Sequence, residues 1–228
     1  MVQKRSNHSL PSKKVVSAVL VGMMALSSGT AVFADTPATT GASVTAASVG
    51  QFSDVKSGFW AEKHIYKLAA QGIILGDKGL FRPNDYVTQQ EAVTMAIRFA
   101  GLQNKLSTDT AVALPENVVV NNYFKPYVAL AFQQSLLNKA SESAATGQKG
   151  TWGERKASRE WITEVLVRAL GKESQASAAA SKATTFADNG KISASKRGFV
   201  NVALELGLTN GVDGNRFDPQ GSVTRAQL

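Results

Sequence analysis

Residues 72–91 run Gly72-Ile73-Ile74-Leu75-Gly76, then Phe81-Arg82-Pro83, then Val87-Thr88-Gln89-Gln90-Glu91, and the same order returns about 136 residues later. There it reads Gly207-Leu208-Thr209-Asn210-Gly211, Phe217-Asp218-Pro219 and Val223-Thr224-Arg225-Ala226-Gln227. Self-similarity at a fixed spacing marks units that bury their faces against one another. Function is therefore sought in the repeat and its junctions before any single catalytic centre.

Upstream of the quoted stretch, Trp60, Ile65, Leu68, Ala69 and Ile73 fall at helical spacing, with Ser57 placed as an N-cap and Gly72 and Gly76 as the stop. Residues 76–87 read as a loop, in which Pro83 fixes its own backbone and biases Arg82 away from helix. A second helix starts at Thr88, whose hydroxyl caps it while Glu91 reaches back, and Val93, Ala96, Ile97 and Ala100 form its buried face. One unit is helix, loop, helix.

The C-terminal copy repeats this order with Val200, Ala203, Leu204 and Leu208 in its first helix, a loop from Gly211 to Val223, and a cap at Thr224. Between the two lies a degraded copy. Tyr123 through Leu137 can be laid on Trp60 through Ile74 without a gap, so that Tyr123 takes the place of Trp60 and Ser135 that of Gly72. Its loop is longer and lacks Phe-x-Pro, and the pattern resumes at Ser158-Arg159-Glu160-Trp161. The repeats are bounded at 51–102, 120–171 (degenerate, with a loop insertion) and 184–228. The linker at 172–184 reads equally as loop or as helix extension. Since only Leu228 follows the cap motif, the last helix reads as truncated and the chain as the front piece of a longer protein.

The N-terminus has the layout of a secretory signal peptide. Lys4, Arg5, Lys13 and Lys14 precede a charge-free run from Val15 to Leu26, and Val32 and Ala34 occupy the small-residue positions before a cut. That run is short of the roughly 20 residues a membrane-spanning helix needs, so no span is expected once residues 1–34 are removed. Residues 35–50, rich in Ala, Thr, Ser and Gly, read as a flexible spacer. Removing the signal peptide takes away four basic and no acidic side chains, which leaves the chain only mildly basic. No dense Lys/Arg stripe is present to suit nucleic acid. The lack of cysteine excludes disulfides and thiolate chemistry. No Ser/His/Asp order, phosphate-cradling loop or HExxH appears, and His64 stands on a helix among Lys63, Tyr66 and Lys67, so an enzyme, a metal and a cofactor are not expected.

Phe52-x-Asp54-Val55 leading to Trp60-Ala61, the Gly-Ile-Ile-x-Gly run, the two Phe-x-Pro loops and Thr224-Arg225-Ala226-Gln227 resemble the S-layer homology family over residues 52–228. The resemblance implies a mainly α fold, with three helix-loop-helix repeats packed as a pseudo-trimer around a central three-helix bundle. It also implies a secreted, cell-wall or S-layer protein. Its partner is then an anionic polysaccharide attached to peptidoglycan, often carrying pyruvylated N-acetylmannosamine, held in grooves between copies. Rival roles are an S-layer subunit that self-associates through a region beyond residue 228, or the anchor of a wall or polysaccharide hydrolase.

A pyruvate ketal carries a carboxylate, which the planar fork of a guanidinium can hold with two parallel hydrogen bonds. Arg159 and Arg225, each one residue past a cap, are the candidates, near the positive end of a helix. Gln89 stands at that position in the first copy and brings no charge, so the groove built on copy one is expected to be weak. Gly76, Gly79, Gly211 and Gly214 either let backbone N–H groups approach a ligand or serve as plain turn residues. Trp60 either stacks on a sugar or packs in the core, the spacing favouring the core. Asp54 and Asp188 precede the first helices of their copies and are placed to brace them.

Overall fold

A computed structural model describes residues 52–107, 113–144 and 150–228, all within one contact unit spanning Thr45–Leu228. The signal peptide and the spacer lie outside the described residues. The chain is mainly helical: α1 Glu62–Ala70, α2 Gln89–Phe99, α3 Lys125–Gln133, α4 Lys139–Ala144, α5 Arg159–Ala169, α6 Glu173–Ala178 and α7 Arg197–Glu205. Extended backbone appears among the described residues only as isolated bridges. No helix among them is long and apolar enough to cross a membrane.

The helix-loop-helix order follows the expected local chemistry. Thr88 caps α2 with a reciprocal capping box to Glu91, satisfying two N-terminal donors at once. Helices α1, α3 and α7 end alike. Gly72 (φ 68°), Ser135 (φ 59°) and Gly207 (φ 69°) adopt the left-handed conformation, and the next residue's N–H returns to a carbonyl five back. Glycine does this without a Cβ clash. Ser135 accepts that clash at the end of α3.

The start of α1 departs from expectation. Ser57 does not cap it; the helix begins at Glu62, whose carboxylate accepts from Gly58 N–H at 2.8 Å. Trp60 therefore precedes the helix and is 66% exposed, which corrects its assignment to the core. Ile73 and Leu208 likewise fall past their helix ends. The undecided linker at 172–184 contains α6, which packs on α7 so closely that a Cβ at Gly198 would collide with the Ala176 carbonyl.

Beneath the loops, Phe81, Trp152 and Phe217 are fully buried, each worth roughly 2–3 kcal/mol of burial. Trp152 serves the middle loop although the Phe-x-Pro signature is gone. Its indole donates to Glu142 Oε2 at 2.8 Å, while Trp161 donates to Oε1 of the same carboxylate at 2.9 Å.

The segments ahead of Thr88, Ser158 and Thr224 meet in a closed ring, although Ser158, unlike Thr88, precedes its helix without a side-chain cap bond. Val87 N–H donates to Val223 O (2.9 Å), Val223 N–H to Ala157 O (3.1 Å), and Ala157 N–H to Val87 O (2.8 Å). All three residues are buried. From this ring α2 and α5 run side by side, α2 against α3 and α5 against α7.

Candidate functional site

Each of the three ring segments reaches a loop distant in sequence: Gln89 the loop of Arg155, Arg159 that of Phe217, and Arg225 that of Phe81. Arg225 Nε donates to Phe81 O at 2.7 Å and Nη2 to Leu75 O at 3.1 Å, with the guanidinium 4.9 Å from the Phe81 ring. Arg159 does the same for the third copy's loop, its Nη1 donating to Phe217 O (3.2 Å), Asp218 O (2.9 Å) and Asp218 Oδ2 (3.1 Å). Both forks hold backbone carbonyls of a neighbouring copy. Burial pushes the Arg225 guanidinium below its ordinary value and the Glu91 carboxylate opposes this; it stays charged.

Gln89 faces the middle copy's loop, its N–H donating to Arg155 O at 2.8 Å. Its side-chain oxygen is buried without a hydrogen-bond partner among the described residues. The charge-poor position thus belongs to the second junction, and the first copy's loop is served by Arg225.

A groove of about 230 Å³ opens between the first copy's loop, α2 and the start of the middle copy. Leu75, Gly76, Asp77 and Arg82 line one wall; Glu91, Thr94, Met95 and Arg98 come from α2; Tyr123 and Phe124 close the far side, and Arg225 lies at the base. Three guanidinium groups therefore face two carboxylates. Arg98 Nη2 reaches Tyr123 Oη at 3.0 Å and Tyr127 Oη at 3.4 Å, and its charge lies 5.4 Å from the Tyr127 ring. Tyr123 is 59% exposed, which leaves a ring available to a ligand's apolar face.

Asp54 and Asp188, expected to brace the entry to the first helices, instead clamp the two Phe-x-Pro loops. Asp54 accepts from Phe81 N–H (2.8 Å) and Arg82 N–H (2.6 Å), and Asp188 from Phe217 N–H (2.7 Å) and Asp218 N–H (2.8 Å). Arg82 (φ 59°) and Asp218 (φ 55°) are left-handed, a conformation costing about 1–2 kcal/mol that the paired bonds offset. Burial acts to raise the Asp188 carboxyl, but the N–H donors of Phe217 and Asp218, with Lys191 nearby, hold it below its usual 3.8.

The loop glycines divide by role. A Cβ on Gly76 would collide with the Phe52 ring and come within 2.6 Å of Leu80 O, and one on Gly211 would meet Phe186 and Arg216 O at 2.6 Å. Gly79 and Gly214, at φ 77° and 75°, are turn residues. Trp60 lies outside this groove. It borders a second, more apolar cavity of about 380 Å³ with His64, Leu68, Phe99 and Leu208. His64 is exposed.

The chain is similar to an amylopullulanase of Thermoanaerobacterium thermosulfurigenes, 28% identical over 77% of this chain and 9% of that protein. It is also similar to the S-layer protein of Bacillus thuringiensis subsp. finitimus, at 26% over 80% of this chain and 21% of that one. The S-layer protein sap of Bacillus anthracis is 27% identical over 77% of this chain and 20% of its own length. The chain thus spans about a fifth or less of these relatives. Carrying the loops, clamps and caps described above, two stretches of this chain, residues 51–93 and 185–228, match the S-layer homology domain family.

Proposed function

We propose that this chain holds an exported protein non-covalently at the bacterial cell wall by binding an anionic, pyruvylated polysaccharide. The S-layer homology segments and the S-layer relatives support a secreted protein of the cell surface. The observation that carries the finer reading is the groove in which Arg82, Arg98 and Arg225 gather beside the exposed Tyr123 ring. A carboxylate on a sugar has fork-shaped donors to meet there, and the sugar's apolar face has a ring to lie on.

Three copies at 51–102, 120–171 and 184–228, arranged as a pseudo-trimer about a central bundle, form the frame of this reading. The closed hydrogen-bond ring of Val87, Ala157 and Val223 supports it, since each copy supplies one member. Arg159 and Arg225 then act on the ligand mainly by fixing the groove walls, with Arg98 as the direct contact.

The test is calorimetric titration with purified wall polysaccharide, before and after chemical removal of pyruvate. Binding is expected to vanish without pyruvate and to fall at least about tenfold in Arg98→Ala. Undiminished binding to the depyruvylated polymer overturns the reading.

A further inference from the structure

The second junction is built like the first, with changes of charge at three corresponding positions. Helices α2 and α5 are both 11 residues long and correspond position for position from Thr88 and Ser158. Arg98 corresponds to Arg168. Each guanidinium lies over an aromatic ring of the next copy's first helix, Tyr127 at 5.4 Å and Phe199 at 4.9 Å. One turn earlier the first groove has Thr94, and the second junction has Glu164.

Glu164 is only 8% exposed, yet it is fully engaged. Its Oε1 accepts from Arg168 Nε at 3.0 Å, and its Oε2 pairs with Lys196 Nζ, Lys196 standing where Phe124 stands in the first groove. Arg168 is bound again by Glu173. Two cations are thereby matched by two carboxylates. The residue delivered across this junction is neutral Gln89, where the first groove receives Arg225.

We propose that Glu164 is an internal stand-in for the ligand carboxylate, so that the junction between the second and third copies is a self-occupied anion site. Its chemistry is that of the first groove, a carboxylate-bearing saccharide against guanidinium and ammonium, and this part rests on the proposed function. A tethered carboxylate is always present at its partners, whereas a dissolved one must displace it against like-charge repulsion. Selectivity among grooves then follows from this residue together with the exchange of Arg225 for Gln89.

The test uses the full chain with Glu164→Thr, which copies the first groove, and Glu164→Gln, which keeps the shape without the charge. Sodium acetate is the first probe, with sodium chloride at equal ionic strength as reference. Acetate, read against chloride, is expected to raise the melting temperature of Glu164→Thr by more than it raises that of the wild type, since the first groove is open in both. Should the Thr variant unfold in chloride, its refolding in acetate is the same rescue. Equal shifts in wild type and variant overturn the proposal. The second probe is the pyruvylated polysaccharide on Arg98→Ala and on Arg98→Ala/Glu164→Thr. Binding at least about tenfold tighter in the double variant supports the inference. Equal weak binding in folded Glu164→Thr and Glu164→Gln backgrounds overturns it. Acetate rescue without polymer binding by the wild type keeps the carboxylate site and overturns only the wall-polysaccharide reading.

Discussion

Arg225 Nε donates to the carbonyl oxygen of Phe81 at 2.7 Å across 144 residues of sequence. This bond joins the end of the described chain to the loop that walls the arginine-lined groove. Because Arg225 is 9% exposed, the charge is taken up almost wholly by the protein itself. Its Nη1 lies 3.6 Å from Glu91 Oε1, so the same side chain links loop, helix and groove.

Arg225→Ala is expected to destabilise the fold by about 3 kcal/mol, because it leaves two backbone carbonyls and the Glu91 carboxylate without their buried donor. Arg225→Lys is expected to recover part of this, since ammonium cannot span both carbonyls. Chemical denaturation of the two variants checks the order. Arg98→Ala, at a half-buried residue bonded to Tyr123 and Tyr127 among the described residues, is expected to cost less than about 1 kcal/mol while losing polymer binding.

The Asp188 carboxyl sits below its usual 3.8 in the folded chain, so it contributes stability that is complete above that value. The contribution is lost as pH falls from about 4 through the lowered folded value. Asp188→Asn is expected to flatten the acid limb of a plot of melting temperature against pH, with little change near neutrality in that slope. An unchanged acid limb would show that the clamp on Phe217 and Asp218 holds no differential proton binding.

Glu142→Ala is expected to cost about 2–4 kcal/mol, since two buried indole N–H groups lose their acceptor. Tryptophan emission should shift at the same time, because Trp152 and Trp161 report on that carboxylate directly. Glu142→Gln, which keeps one acceptor oxygen, is expected to fall between.

Ala157→Pro removes the N–H that donates to Val87 and breaks the ring at one of its three links. A loss of about 3 kcal/mol or more is expected. Ala157→Gly keeps the donor and is expected to cost less, and urea titration of the pair separates the bond from the side chain.

What could be read in the sequence was local. The Thr88–Glu91 box lies within one turn of helix, and Ser135 at the place of Gly72 followed from alignment of the copies. Trp60 was misjudged because its spacing from Ile65 and Leu68 continues a helix that begins only at Glu62. The roles of Asp54, Asp188, Arg159 and Arg225 depend on residues 27 to 150 positions away, and no periodicity encodes which copy a side chain will reach. Gln89 was assigned to the wrong groove for that reason. Glu164 carries no signal in the sequence, because its partner Lys196 lies 32 positions away.

The hydrogen-bond ring of Val87, Ala157 and Val223 has no first or last member. Each link is a head-to-tail contact, the kind that closes only if every turn of the cycle is filled from the same set. A chain in which one copy swings out therefore exposes one donor and one acceptor that fit the corresponding copy of another molecule. Exchange of copies between chains is the natural failure mode of this architecture, and it is held in check by the side chains that cross each junction, Arg159 and Arg225 foremost among them.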